Sequence, residues 1–359
     1  DNYFVNNSIV FEKLKLTAED PIDGVVNFHL DVALKNPKYY DEDILRKSKY
    51  HVYVDGAYNS TVSSPDFTLT LEKGKTAYVY VVPSISNSKS NEVFAGIAKT
   101  YIYVSQSQGN DENDGLSKSQ PVKTLNRSIE LARSHENIVI MDGTFGETNL
   151  VIDYNLTITA EKDAAITVGG NAFTITDGDV RFVNVTFKNS KYGSSTKNRL
   201  ISQTGTGFLF LDGCTFQAND YKVIIEANGA IEGENLIVAD NKDGSFIMGN
   251  SIKLKSSIFS NNIATYMLYK AILYSTKTVK FEVENLTFIG NSVHSGCIYI
   301  KGSGTVADCS FIDNEMTTSN GRGSSIMLED GSLVIQSSKF INNTDTGKYS
   351  SVIYASSGT

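Results

Sequence analysis

The chain has 359 residues, a formal net charge of −8 and 40% hydrophobic residues, with 19 Tyr, 18 Phe, 5 Pro and no Trp. That much apolar content excludes a disordered chain, and an acidic balance with no basic patch argues against nucleic acid as a partner. No apolar run approaches the ~18 residues of a membrane span, so no span is expected in this fragment. The sequence opens at Asp1 rather than Met, as a trimmed mature protein or an expression fragment does.

Residues 1–99 show no repeat. They carry alternating stretches, "SIVFEKLKLT", "GVVNFHLDVAL", "KYHVYVDG", "DFTLTLEKG", "TAYVYVVPS" and "NEVFAGIA", separated by turn residues. Period-two alternation at this spacing predicts a small β-sandwich. A new unit opens at Tyr101. Residues 101–145 read strand, Asp/Asn/Gly turn, helix, strand, with the helix predicted from Thr124 to Ser134. Thr124 suits the N-cap, and Leu125, Ile129 and Ala132 fall on one face.

Beyond residue 145 the chain becomes periodic. A Phe-x-x-Asn unit recurs with its Phe at Phe216, Phe259, Phe288, Phe311 and Phe340, and Val238 fills one gap. Its Asn falls at Asn219, Asn241, Asn262, Asn291, Asn314 and Asn343. Phe187, with Asn189 one residue early, is an imperfect first copy. Between these units stands a short strand of small residue, Ile and apolar residue, as in "KVII", "GCIY" and "SVIY". A repeat of 20–30 residues without a repeating helix predicts a β-solenoid, here a right-handed parallel β-helix over 100–359 with coils in 137–359. In such a fold equivalent residues stack ~4.8 Å apart, so the Phe residues form an inward stack and the Asn residues a ladder at a corner. Asn also tolerates the left-handed backbone that corners need. Cys214 and Cys309 occupy equivalent inward slots and Cys297 the small-residue slot; all read as buried hydrophobes, outside any disulfide or zinc spacing. The helix near 124–134 then caps the first coil. The last copy, "SSVIYASSGT", begins a coil and stops, which predicts that the solenoid is cut at its C-terminus.

These residues support resemblances. "LEKGKTAYVYVV" (71–82) resembles the end of a fibronectin type III or immunoglobulin-like module, with Tyr78 near the place of its corner tyrosine. The stretch 104–132, "VSQSQGNDENDGLSKSQPVKTLNRSIELA", resembles the entry to secreted right-handed parallel β-helix proteins. The Phe-x-x-Asn coils are similar to those of chlamydial polymorphic outer-membrane proteins, and closer still to the adhesin-like surface proteins of methanogenic archaea. That resemblance implies a secreted protein at the cell surface, acting in adhesion by carbohydrate binding or contact with another cell.

Function is expected where the repeat varies. The segment from each ladder Asn to the next short strand differs in length from coil to coil, so insertions emerge at one corner. Candidate ligand-binding residues there are Tyr192, Tyr221, Tyr266, Tyr269, His294 and Arg322, the tyrosines for stacking or hydrogen bonding. The alternative is a carbohydrate-active enzyme, a polysaccharide lyase or a glycoside hydrolase. A lyase needs a base, with Lys197, Arg199, Lys270, His294 and Arg322 available, and a cation. A hydrolase needs paired carboxylates. Glu226, Glu232, Glu234 and Asp240 cluster in one coil and Glu282 and Glu284 in another, and an exposed acidic strip is the simpler account of them. The turn "GNDENDG" offers Asp111 and Asp114 as calcium ligands or as caps of their own backbone. The reading adopted is a non-catalytic protein without a required cofactor.

Overall fold

The computed structural model describes residues 11–19, 25–35, 43–71, 77–86, 88–95, 101–161, 164–193, 199–266, 271–347 and 351–357. The chain divides into two compact units, Asp1–Thr100 and Tyr101–Thr359.

The first unit is a β-sandwich. Strands Phe11–Ala18, Val25–Leu34 and Asp66–Thr70 form a three-stranded sheet. Ala57–Val62, Tyr50–Val54, Ala77–Pro83 and Val93–Ala95 form a four-stranded one. Every pairing is antiparallel. Alternation sends Leu16, Val26, Phe28 and Leu30 from one sheet against Tyr50, Val52, Val79 and Val81 from the other. Two elements escaped the sequence reading, the strand Ala57–Val62 and the short helix Ile44–Lys47. The strand reads AYNSTV, too polar to show a buried face. Tyr78 does not serve as a buried corner tyrosine. It is 54% exposed and tilts on Phe94, because it falls on the outward phase of its strand.

The second unit is an all-β, right-handed parallel β-helix with an N-terminal capping helix. Seven Phe-bearing strands, from Thr144–Phe145 to Lys339–Ile341, join Ala165–Ile166 and Ile237–Ala239 in one nine-stranded parallel sheet. A larger sheet holds the remaining long strands of each coil, and four two-residue strands after the ladder Asn residues form a third sheet. The Phe rings stack in register: Phe259 on Phe288 at 4.7 Å, Phe288 on Phe311 at 5.0 Å, and Phe311 on Phe340 at 4.9 Å, with interplanar angles of 13°, 3° and 1°. Phe187 joins the stack against Phe216 at 4.7 Å. Val238 leaves a gap, and Phe246 from the facing strand fills it, edge-on to both Phe216 and Phe259.

The asparagines carry the corner. From Asn241 onward each Oδ1 accepts two bonds from the preceding rung, as Asn291 does from the backbone N–H of Asn262 (2.9 Å) and from its Nδ2 (3.0 Å). Each Nδ2 also donates back to a carbonyl of the preceding coil, as Asn291 does to Phe259 at 2.9 Å. The same pattern runs through Asn219, Asn241, Asn262, Asn291, Asn314 and Asn343. The ladder residues do not adopt the left-handed backbone expected of them. That conformation belongs to the residue just before: Ala218, Asp240, Asn261, Gly290, Asp313 and Asn342 all have φ between 52° and 63°. The reversal thus precedes the rung and frees the ladder side chain to point inward. Asn189 holds this same reversal position (φ 54°), and Ser190 behind it is the first rung, donating its N–H to Asn219 Oδ1 at 3.0 Å. A second left-handed corner lies three residues before each Phe, at Asn184, Gly213, Asn235, Ser256, Asn285, Asp308 and Ser337. The residue following it turns inward, which places Cys214 and Cys309 in the core. Burial pushes their thiols up to about 12 and about 11.

The helix Leu125–Ala132 buries Leu125, Ser128, Ile129 and Ala132. Leu125, Ile129 and Ala132 pack with Ile102, Val104, Ile138 and Ile140 of the first strands. Its N-terminus is satisfied from outside as well as by its own cap. Thr124 Oγ1 accepts from Arg127 N, and the Glu147 carboxylate takes the N–H groups of Leu125 (2.9 Å) and Asn126 (2.8 Å).

Two expectations follow. Phe288→Ala opens a cavity in mid-stack and lowers unfolding stability by ~3–5 kcal/mol in a denaturant titration; a change near zero contradicts the inward register. Asn262→Ala strands an N–H and a carbonyl in the core, each costing ~1–3 kcal/mol. The same change at the half-buried Asn343 costs less, so the two variants rank in that order in thermal melts.

Candidate functional site

The insertion corner does not gather the predicted residues into one site. Tyr221 is wholly buried, and its hydroxyl donates to Gly170 O at 2.6 Å, so it is a core residue, brought inward by the phase of its strand. Tyr192 and Tyr266 both lie near Lys222, whose ammonium is 5.6 Å and 4.2 Å from their ring centres and pairs with Asp243. His294 is 8% exposed, with Nδ1 at 2.9 Å from Ser295 Oγ. The Arg322 guanidinium lies over the Tyr354 ring at 5.1 Å. Tyr354, Tyr274, Tyr299, Met327 and Ala271 form a small second core. Arg199 is 5% exposed and bound to Glu226 at 2.6 Å. Tyr269, Lys197 and Lys270 lie outside the described residues.

The turn at 109–115 does capping work. Asp111 Oδ1 accepts from the N–H of Lys123 and Thr124, and Oδ2 from the Thr124 hydroxyl, all within 2.8–2.9 Å. Burial raises the Asp111 carboxyl, but these three bonds and the Arg127 charge outweigh it and hold the group below the usual carboxylate range. Asp114 Oδ1 accepts from Leu116 N. Among the described residues no three His, Cys, Asp or Glu side chains come together as metal ligands.

Another face collects chemistry that the sequence reading had divided. On the strands that precede the Phe sheet, outward residues of successive coils pair in register as Arg181, Phe210, Glu232, Lys253, Glu282 and Thr305. Two residues along, the parallel row is Asp212, Glu234, Lys255, Glu284 and Ala307. Between the rows lie two adjoining shallow grooves with volumes of about 310 and 340 Å³, which share Lys253 and Lys255. Opposite charges pair between neighbouring coils, with Lys253 3.5 Å from Glu232 and Lys255 3.2 Å from Glu284, while Lys280 lies 3.1 Å from Glu282 on the same strand. At half-exposed sites such pairs contribute ~0–1 kcal/mol each, so stability alone does not account for the pattern. At one end Phe210 stacks on the exposed Phe208 at 5.6 Å and 13°, and the Arg181 guanidinium covers Phe210 at 4.4 Å. Asp212 and Glu234 face the groove from adjacent coils, ~4.8 Å apart along the axis. The sequence reading separated Glu232 and Glu234 from Glu282 and Glu284 by coil, and it gave Lys253 and Lys255 no role. The signal was the alternation in "IKLKSS" aligned beneath "AIEGEN" and "KFEVEN". Glu226 and Asp240 belong elsewhere, the first on Arg199 and the second at a left-handed corner.

No family model and no curated protein sequence matches the chain. Among solved structures it is similar to a family 28 exopolygalacturonase of Yersinia enterocolitica, at 10% identity over 97% of this chain and 98% of that one, with a TM-score of 0.32. It is similar to the catalytic domain of a GH87 α-1,3-glucanase in complex with nigerose, at 10% identity over 96% and 78% of the two chains, TM-score 0.28. It is also similar to WceF of Pantoea stewartii, a glycan biofilm modifying enzyme with a tailspike-like parallel β-helix, at 12% identity over 86% and 66%, TM-score 0.27. The likeness concerns architecture alone. Among the described residues no helix is long and apolar enough to cross a membrane.

The capping role of Asp111 sets a pH dependence. Its folded carboxyl titrates below the unfolded value of ~3.9, so its stabilisation is complete above that value and is lost as pH falls through the folded one. Asp111→Asn therefore melts lower than the parent at neutral pH, and the gap closes on acidification below the ordinary carboxylate range. Added calcium leaves the parent's melting temperature in place; a rise that Asp111→Asn abolishes contradicts the capping role.

Proposed function

We propose that this chain is a non-catalytic, extracellular adhesin-like protein of the cell surface that contacts glycans, on another cell or in a polysaccharide, along the outer face of its β-helix. The observation that carries the reading is the double row from Arg181 to Thr305, with its grooves and the Phe208–Phe210 stack at one end. A solvated strip of acidic and basic side chains, with one position per row in each coil, suits an extended hydroxyl-rich polymer, which offers many weak contacts rather than one deep anchor. The aromatic pair supplies an apolar face beside them. The methanogen adhesin-like proteins, whose coils the sequence resembles, are the kin this reading favours.

A carbohydrate-active enzyme is the second reading, and Asp212 beside Glu234 favours it. The two stand in register on neighbouring strands ~4.8 Å apart, so both carboxylates project into one groove, as a carboxylate pair for glycoside hydrolysis requires. The two readings separate by experiment. The intact chain is applied to a glycan array and to whole cells, and Arg181→Ala with Phe210→Ala is expected to weaken retention about tenfold, the worth of ~1.4 kcal/mol of contact. In parallel, the parent is incubated with neutral and uronic-acid polysaccharides. Release of reducing ends or of unsaturated uronates that disappears in Glu234→Gln overturns the non-catalytic reading.

A further inference from the structure

The first unit carries a surface that the groove does not explain. The outward face of its four-stranded sheet is lined by five aromatic side chains, Tyr53, Tyr58, Tyr78, Tyr80 and Phe94. Tyr58, Tyr78 and Phe94 are 59%, 54% and 53% exposed. Strand register sets the arrangement. Tyr80, Tyr53 and Tyr58 lie opposite one another on three neighbouring strands, and Tyr78 lies opposite Phe94. Tyr53 stacks on Tyr80 at 4.8 Å and 1°, Tyr58 meets Tyr53 at 5.9 Å and 77°, and Tyr78 tilts on Phe94 at 5.1 Å. The opposite face of the same strands is the valine-rich core, Val52, Val79 and Val81. These rings therefore contribute nothing to the sandwich interior. Cross-strand aromatic contacts steady a sheet by ~0.2–1 kcal/mol per pair, but that gain does not require rings left more than half in water.

We propose that this face binds the apolar faces of pyranose rings in a neutral polysaccharide. Three properties select that occupant. Four of the five side chains are tyrosines, which join an apolar ring to a polar tip and so match a ligand that is apolar on its ring faces and hydroxylated at its edges. Only the Tyr58 hydroxyl is engaged, at 2.9 Å from Thr61 Oγ1; those of Tyr53, Tyr78 and Tyr80 have no hydrogen-bond partner among the described residues. The charge is balanced: the Lys89 ammonium, 3.6 Å from the centre of the Tyr80 ring, lies 3.4 Å from Glu92 Oε1. Asp55 Oδ1 accepts from Tyr78 N. Among the described residues no other cation is recorded over these rings, His51 beside Tyr58 (6.2 Å) has its Nδ1 at 2.8 Å from Thr61 Oγ1, and the basic rim of a membrane-surface element is absent, so a neutral ligand suits the face better than a phosphate, sulfate or uronate. Three strands ~4.8 Å apart make the Tyr80–Tyr53–Tyr58 row ~10 Å long, enough to contact more than one sugar ring.

The absence of tryptophan provides a clean test. Tyr58→Trp in the intact chain places a single indole at the most exposed ring. Titration with a soluble β-glucan, an α-glucan and a galactomannan is expected to give, for at least one of them, a saturable change in indole emission that unlabelled parent protein competes away. Tyr78→Ser with Phe94→Ser in that background weakens the response about tenfold; should the pair fail to fold by circular dichroism, Phe94→Ser alone serves. Arg181→Ala with Phe210→Ala leaves the response unchanged, which keeps this site separate from the groove. The proposal is overturned by an emission that responds to none of the three polymers, or only to phosphatidylcholine vesicles. It is equally overturned by an affinity that the serine variants do not alter.

Discussion

The buried asparagine ladder is the constraint on which the β-helix depends. At each coil the chain must reverse within two residues while its backbone groups lie in the core, where an unpaired N–H or carbonyl costs ~1–3 kcal/mol. No backbone partner is available inside the bend. The ladder side chain supplies one: its oxygen accepts the N–H of the preceding rung and its nitrogen donates to a carbonyl of the preceding coil. An amide is suited to this because it presents acceptor and donor from one rigid group. With the corner fixed, the Phe two strand positions before the reversal points inward at the same height in every coil, and stacking follows.

The ladder also explains why the rest of the coil is free to vary. Contacts in a solenoid are made with neighbouring coils only, so a segment that leaves the axis after a rung and returns at the next short strand changes nothing beneath it. After Asn219 and Asn241 the chain runs straight into the strands Asp220–Glu234 and Lys242–Lys255. After Asn314 it makes a longer excursion before Ile326–Asp330. That excursion lies beside an outward column, and Tyr299 and Met327, though they point away from the main core, are 3% and 4% exposed. With Ala271, Tyr274 and Tyr354 they form a second small core on the outside of the sheet. This is why the insertion corner, which looked like the place for recognition, is occupied largely by packing.

Much of the scaffold was legible because its signals are local and repeated. Phe-x-x-Asn fixes period, inward face and corner together, and the helix at 125–132 announced itself by Thr124 and by Leu125, Ile129 and Ala132. What escaped has physical reasons. Ala218 and Ser256 carry positive φ without being Gly, Asn or Asp, so residue type alone gave no sign of the reversal. Ser190 serves as a rung because its hydroxyl accepts from Val168 N while its own N–H reaches Asn219, a role an asparagine template does not describe. The charged face needed three coils aligned at once. Glu232, Lys253 and Glu282 are 21 and 29 residues apart, and unequal coil lengths hide that register from any fixed period. Tyr221 lies inward for a related reason: it follows a rung with no insertion after it, so its side chain takes the inward phase of the strand that begins at Asp220.

All six ladder amides point the same way. Every side-chain carbonyl faces the preceding coil, because the backbone N–H it accepts is fixed there; turning one amide over would set donor against donor. Sheet backbones carry little net dipole, since their peptide groups alternate. The asparagine column does not alternate. Its amide dipoles add along the axis, with the negative pole at Asn219, where the Ser190 N–H meets it, and the positive pole at Asn343. The solenoid is therefore electrically directional, and its two ends differ in what they attract even where their shapes are alike.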